Sequence, residues 1–349
     1  MEIFLFILVI NIIPVNSATN EVIISFEKLS EINTGNTPFD VQLSGNLAFV
    51  SDYLGGLSAF DITNASEPIL LDNLPLSLAH YFHVVDDFAF VPCWNNGLKI
   101  INISDPTNMT EVGSYNDGIE VGGTFVSNDV AIVTKTDGGV LVLNVSNPTD
   151  PQKISQYNAT GIPNVCSIRD NIAFVAYWEQ SGSRIVFLDI TDPLTPVFIG
   201  QYADTADTYD FHLKGDLLII ANDASGVYFV NISNLTNPTK ITQIDTANLA
   251  VGVDTIDNYA FIGDSNTLEV IDFSDLANLQ VVGSFDDTGA TQKLQIANDL
   301  IFTCNNPKGL VIFRYTIEDV TTSSSNLFIF PMLLSLMITT FLLKSKCKK

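Results

Sequence analysis

Along most of the chain, apolar residues come in short runs, each stopped by a small polar residue and a turn. GLKIINISDPTNMTEVGSY (97–115) shows the pattern, and GVLVLNVSNPTDPQKISQY (139–157) and GVYFVNISNLTNPTKITQI (226–244) repeat it. The residue that ends the run is Asp61, Asn102, Asn144, Asp189, Asn231, Asp272 and Arg314, at intervals of 41, 42, 45, 42, 41 and 42. A fixed period in the forties marks an array, and about four short strands per unit of that length match a propeller blade.

In the first unit the spacing predicts strands over Pro38–Leu43, Leu47–Ser51, Leu57–Ile62 and Ile69–Leu74. Gly45-Asn46 is a tight turn, and Gly215-Asp216, Asp257-Asn258 and Asn298-Asp299 recur at its place, all residues that tolerate positive φ. Third strands are apolar at consecutive positions, as at Leu141–Leu143 and Val270-Ile271, which predicts cover on both sides. Sheets wedged between two neighbours around an axis provide that cover. The Asp/Asn column then serves as a side-chain acceptor for the following turn, and prolines such as Pro106, Pro193 and Pro238 stop the strand there. Fourth strands follow six units, over 69–74, 110–115, 152–157, 197–202, 239–244 and 280–285. The seventh, after Leu310–Tyr315, has none. Val22–Leu29 reads as a fourth strand with no partners before it, so the N-terminal strand is expected to close the last blade.

GLKIINISDP, RIVFLDITDP and GVYFVNISN resemble the LVIVD repeat, an apolar strand closing in Asp-Val/Ile-Ser/Thr with a proline-containing turn. The resemblance covers most of 38–316. It implies a β-propeller of the surface-protein type and carries no general catalytic role. Arg314 departs from the pattern by replacing the acceptor, and Arg184 and Thr267 replace the leading glycine. The expected fold is all-β, a seven-bladed propeller over 21–317 with its N-terminal strand in the last blade, plus one C-terminal transmembrane helix.

The chain ends change the picture from soluble ring to anchored ring. Residues 1–17 carry an apolar stretch, Ile3–Ile13, before small residues suited to cleavage, and read as a signal peptide. Leu327–Leu343 is uncharged and spans roughly 25 Å as a helix. KSKCKK (344–349) follows, a basic tail expected on the cytoplasmic side. Residues 318–326 then form a Ser/Thr stalk. The expected location is a single-pass membrane protein with its ring outside the cell or in the secretory lumen.

Among the 349 residues, 39 are Asp or Glu and 15 are Lys or Arg, a formal charge of −24. Without its ends the chain loses four lysines and one acid, leaving −27. Such a surface repels phosphate backbones, so no nucleic-acid partner is expected. Cys93, Cys166 and Cys304 are an odd count inside the ring and allow at most one disulfide.

Candidate chemistry is sparse. Aligned inner strands place Gln42, His83, Phe125, Ser167, His212, Asp254 and Gln295 in one column between apolar neighbours, a polar lining for the axial channel. His83, His212 and Asp254 come from different blades, which argues against a shared metal ion. Asp204, Asp207 and Asp210 read as a solvated loop. Between second and third strands, Tyr53, Trp94, Tyr177 and Trp178 are aromatics suited to sugar or peptide contact, with packing between blades as the alternative. Asn64, Asn108, Asn158 and Asn234 are the sequons expected to accept glycans. No nucleophile–base set, metal motif or cofactor signature is present. The expected role is binding, to a protein or glycan ligand. The alternatives are a propeller-fold hydrolase with a channel site, or a surface coat component.

Overall fold

The computed structural model describes residues 20–321 apart from 36, 181, 205 and 287–288. The chain divides into two units. One is the ring, Ile24–Thr316. The other joins Met1–Ile23 with Ile317–Lys349, and of it only the strand ends 20–23 and 317–321 are described.

The described residues form seven four-stranded sheets. Blade 1 comprises Pro38–Ser44, Leu47–Asp52, Gly56–Asp61 and Ile69–Leu74, paired antiparallel from inner to outer strand. The inner strands of blades 2 to 7 are His83–Val85, Val121–Ser127, Ile162–Arg169, Asp210–Lys214, Ala250–Ile256 and Ala290–Ala297. Blades 1 to 6 each use consecutive strands. In blade 7, Asn20–Ile32 lies outermost, beside Gly309–Thr321. The ring therefore closes by interleaving its two ends, and the third strand of the last blade is paired on both sides.

The third strand of blade 7 runs on to Thr321, so residues 318–321, read above as the start of a stalk, are strand. The expected leader (1–17), the rest of the stalk and the apolar segment 327–343 with its tail lie outside the described residues. Among the described residues, no helix is long and apolar enough to cross a membrane.

Alternate residues of the middle strands address opposite neighbours. Phe49, Leu57 and Ala59 of blade 1 pack with Ala89, Val91 and Ile101 of blade 2. Their sequence neighbours Val50 and Phe60 pack with Phe302, Leu310 and Ile312 of blade 7. Blades 2–3, 3–4, 4–5 and 5–6 share equivalent clusters. This is why the third strands are apolar on both faces. Truncating one such fully buried phenylalanine to alanine would cost about 3–5 kcal/mol.

The Asp/Asn column behaves as turn chemistry requires. The side chains of Asp61, Asn102, Asn144, Asp189, Asn231 and Asp272 each accept the backbone N–H two residues on, at 2.8–2.9 Å. A second acceptor follows three residues later, as at Asn64, Asp105 and Asn234, and repeats the bond at 3.0–3.2 Å. Arg314 takes another role. It pairs with Asp299 across its own hairpin and with Glu27 on the closing strand.

The closing strand is packed as well as paired. Ile24 lies so near Gly283 of blade 6 that a Cβ there would meet its side chain at 2.9 Å, and Phe26 sits edge-on to Phe285. Deleting residues 21–30 should therefore strip blade 7 of its outer strand and expose blade 6. The expected calorimetric result is loss of the cooperative transition. A melting profile unchanged from wild type would refute this closure.

Candidate functional site

Each sheet begins with an edge strand, and its outward N–H groups have no strand to pair with. Seven such edges meet at the axis. The structure supplies those of blades 1, 2, 3, 6 and 7 with side-chain acceptors from the preceding blade. His83 Nδ1 accepts from Val126 N–H at 3.2 Å, Asp254 from Ile296 at 2.8 Å, and Gln295 from Leu43 at 2.7 Å. One step of two residues along the strands, the same arrangement returns. Asp40 accepts from Phe82 N–H at 3.2 Å, and Asp210 from Val253 at 3.1 Å. Between blades 2 and 3 a backbone carbonyl, that of Tyr81, takes the place of the carboxylate and accepts from Thr124.

The inner strands thus surround a cavity of about 330 Å³ with two polar layers, separated by roughly 7 Å of strand. One layer holds Gln42, His83, Ser167, His212, Asp254 and Gln295, the column expected from the sequence. His83 stacks on Phe125 at 3.9 Å, and His212 Nδ1 lies 3.1 Å from Asp254 Oδ1. Among the described residues no three His, Cys, Asp or Glu side chains converge to hold a metal ion.

The other layer escaped the sequence reading. It contains Asp40, Tyr81, Asp210 and Lys293. Asp210 is not a solvated loop residue. It is 2% exposed and paired with Lys293, while Asp207 stays on the surface. The Lys293 ammonium also lies 5.5 Å from the centre of the Tyr81 ring. Asp40 is 4% exposed and has no side-chain cation bonded to it among the described residues. Burial pushes its carboxyl up to about 7 against the pull of Lys293, with Asp210 adding to the rise. Burial also lowers His83 to about 4. Period-two alternation continued past Val41 and Phe211 would have reached this layer.

At the end of the cavity marked by Phe39 and Tyr81, five rings from blades 1 and 2 gather. His80 lies 4.6 Å from Phe39, 5.4 Å from Tyr53 and 5.2 Å from Trp94, stacked on the last. Tyr81 meets Phe39 edge-on at 5.9 Å, which joins this cluster to the cavity wall. His80 is buried, its Nε2 has no hydrogen-bond partner, and burial lowers its pKa to about 4. Tyr53 and Trp94 therefore share one cluster. Trp178 belongs to another place, against Tyr209 with its indole N–H on Thr208 O at 2.6 Å. Tyr177 is fully buried between blades 3 and 4, so the packing alternative holds for it.

Asn64, Asn108, Asn158 and Asn234 are all exposed. Asn64, Asn108 and Asn234 lie at the turns between third and fourth strands, the face opposite the aromatic cluster. Asn158 ends a fourth strand on the aromatic side. Cys93, Cys166 and Cys304 are buried free thiols, so no disulfide joins them.

Seven wedged sheets around a polar axial cavity define a β-propeller whose distinctive groups lie on its axis and one loop face. The LVIVD repeat matches residues 36–74, 79–117, 122–159, 206–246 and 250–287, more than half of the chain, and the chain belongs to that family. The matched segments are blades 1, 2, 3, 5 and 6. Blades 4 and 7, which carry Arg184 and Arg314, fold as blades without a match. No curated protein matches the sequence. The structure is similar to the computationally designed Ika8 protein, at 12% identity over 83% of this chain and 99% of that one, with TM-score 0.64. It is similar to the Pan2 WD40 domain of Neurospora crassa, at 11% identity over 85% and 98% of the two chains, with TM-score 0.65. A protein from Lactobacillus plantarum aligns at 15% identity over 80% and 88%, with TM-score 0.65. At these identities the likeness is one of fold.

Asp40 sets a pH dependence whose sign follows from its raised pKa. Between 3.8 and about 7 the folded chain holds a proton that the unfolded chain has released. Stability from this group is therefore lost as pH rises through that window. His80 and His83 act oppositely, losing stability as pH falls from 6.5 toward about 4. Asp40→Asn keeps an acceptor for Phe82 and should match wild type near pH 4 but exceed it near pH 8, by up to about 4 kcal/mol. Thermal melts of the two proteins across that range check this, and parallel curves would refute it.

Proposed function

We propose that this protein is a recognition module that binds a protein or glycan ligand on the face carrying the aromatic cluster. The observation that supports it is the gathering of Phe39, Tyr53, His80, Tyr81 and Trp94 at one end of the axial cavity. Rigid rings beside polar groups give contact area at small entropic cost and favour sugar C–H faces and apolar side chains. A buried His80 Nε2 without a partner adds a hydrogen-bonding group inside the cluster. Asn64, Asn108 and Asn234 lie on the opposite face, at the turns between third and fourth strands. Glycans at these three sequons would leave the aromatic face clear, and Asn158 is the one expected site on the aromatic side. Anchoring by 327–343, with the ring outside the cell or in the secretory lumen, belongs to the same proposal.

One observation favours a hydrolytic reading. Asp40 shares its cavity with Lys293, Asp210 and two histidines, and perturbed groups gather at catalytic sites. Against it, no hydrogen bond joins Ser167 to either histidine among the described residues.

The test is binding of the full-length protein, displayed on cells, to glycan and protein arrays. Trp94→Ala and Tyr53→Ala should each weaken the best array hit by about tenfold or more. Trp178→Ala, in the separate aromatic pair, should not. Equal loss from all three variants, or none from the first two, would refute the assignment of this face.

A further inference from the structure

The axial cavity carries a charge imbalance that the recognition face does not explain. We infer that it is a binding site for a small organic cation, with a primary ammonium group seated against Asp40 and its alkyl part along the apolar wall. This site shares Tyr81 with the aromatic face, but its test does not depend on that face.

Three carboxylates line the cavity, those of Asp40, Asp210 and Asp254, against one ammonium, that of Lys293. Lys293 is spent on Asp210, its bonded partner. Asp254 is held by His212 Nδ1 and by two backbone N–H groups, those of Thr255 and Ile296. Asp40 accepts a backbone N–H from Phe82 and, among the described residues, has no bonded side-chain cation, although it is 4% exposed. Other groups around it do not supply one. Tyr81 is held neutral by burial next to Asp210 and Asp40, and the buried Cys304 thiol behind it is raised by burial and by Asp40 itself. His83, in the next layer, is buried neutral with Nδ1 used as an acceptor. A buried carboxylate without a counter-ion takes up either a proton or a cation.

The shape decides which cation. A hard metal ion needs several oxygen ligands within about 2.6 Å, and no convergent set of three acidic or sulfur or imidazole groups exists among the described residues. An ammonium needs fewer ligands, each at hydrogen-bond distance. The aromatic face of Tyr81 already draws one ammonium in this layer. Val165, Phe211 and Leu294 provide an apolar wall for a short alkyl chain. The volume of about 330 Å³ lies near the lower bound for ligand pockets, which limits the occupant to a small molecule. Anions are opposed by the surplus carboxylate.

Calorimetric titration of the full-length protein in detergent tests this, with n-butylammonium and 1,4-butanediammonium chlorides as probes. Sodium chloride at matched ionic strength, calcium chloride and 1-butanol are the controls. Saturable binding of the ammonium probes near pH 8 is expected, with a matching rise in melting temperature. Protons compete for Asp40, so affinity should fall about tenfold per pH unit below its value of about 7. Asp40→Asn should weaken binding by about tenfold or more. Should that variant misfold, Lys293→Met provides the second arm. It frees Asp210, and ammonium binding should tighten by about threefold or more. The proposal is overturned if the ammonium probes give no saturable heat, if calcium or butanol binds as well as they do, or if neither variant changes their affinity.

Discussion

The structure depends on each sheet covering the flanks of both its neighbours. A middle strand such as Gly56–Asp61 has Leu57 and Ala59 turned to one neighbour and Phe60 to the other, all essentially buried. A lone blade would leave both sets in water, at roughly 1.5–3 kcal/mol for each large side chain. No blade is therefore a folding unit, and the ring gains its stability only when every interface exists. This makes closure the critical junction. Using Asn20–Ile32 to finish blade 7 ties the interface between blades 7 and 1 to both ends of the ring at once. Ile24 and Phe26 extend the same strand onto blade 6.

Wedging sheets around an axis creates a second obligation. The inner strands crowd together as edges, with N–H groups that no strand can reach. The chain meets this with carboxylates, amides and an imidazole reaching from one blade to the next in a single rotational sense. Val126, Ile296, Leu43, Phe82 and Val253 are all served this way. Polar residues on the axis are thus structural in origin. Acceptors that are also charged leave a residue of electrostatics, however, and Asp40 is where it falls. Lys293 reaches past blade 6, where Gly252 has no side chain, to pair with Asp210 on blade 5.

What could be read from the sequence was the local part. The turn acceptors, from Asp61 to Asp272, act on an N–H two residues away, so their role is written in six consecutive units. The strands follow from runs and turns, and the unpaired Val22–Leu29 identified the closing partner. The column at His83 and Asp254 was visible as polar residues in an apolar strand, though its acceptor role was not. That role spans blades, over a separation of 42 residues between Asp254 and Ile296. Asp40 and Lys293 were hidden by a further effect. The register slips at Pro38/Asp40 and at Thr291/Lys293, so simple alternation from the strand start does not carry through to them. Tyr177 misled for a related reason, since a strand that continues to Glu179 keeps its side chain inside where a loop would have exposed it.

The two blades without a repeat match show which features the architecture requires. Blade 4 has Arg184 in place of the leading glycine. Its guanidinium bonds Thr160 O, on the loop between blades 3 and 4, and lies 5.1 Å from the centre of the Tyr177 ring. Blade 7 has Arg314 in place of the turn acceptor, because no fourth strand follows it and no turn needs capping. The arginine instead pairs with Glu27, on the strand that arrives from the other end of the chain. In both blades the buried alternation of the middle strands is intact, from Phe174 and Phe187 to Phe302 and Phe313. The repeat signature therefore records a solution to the turn, while the ring itself asks only for two apolar flanks and an inner edge whose N–H groups can be satisfied.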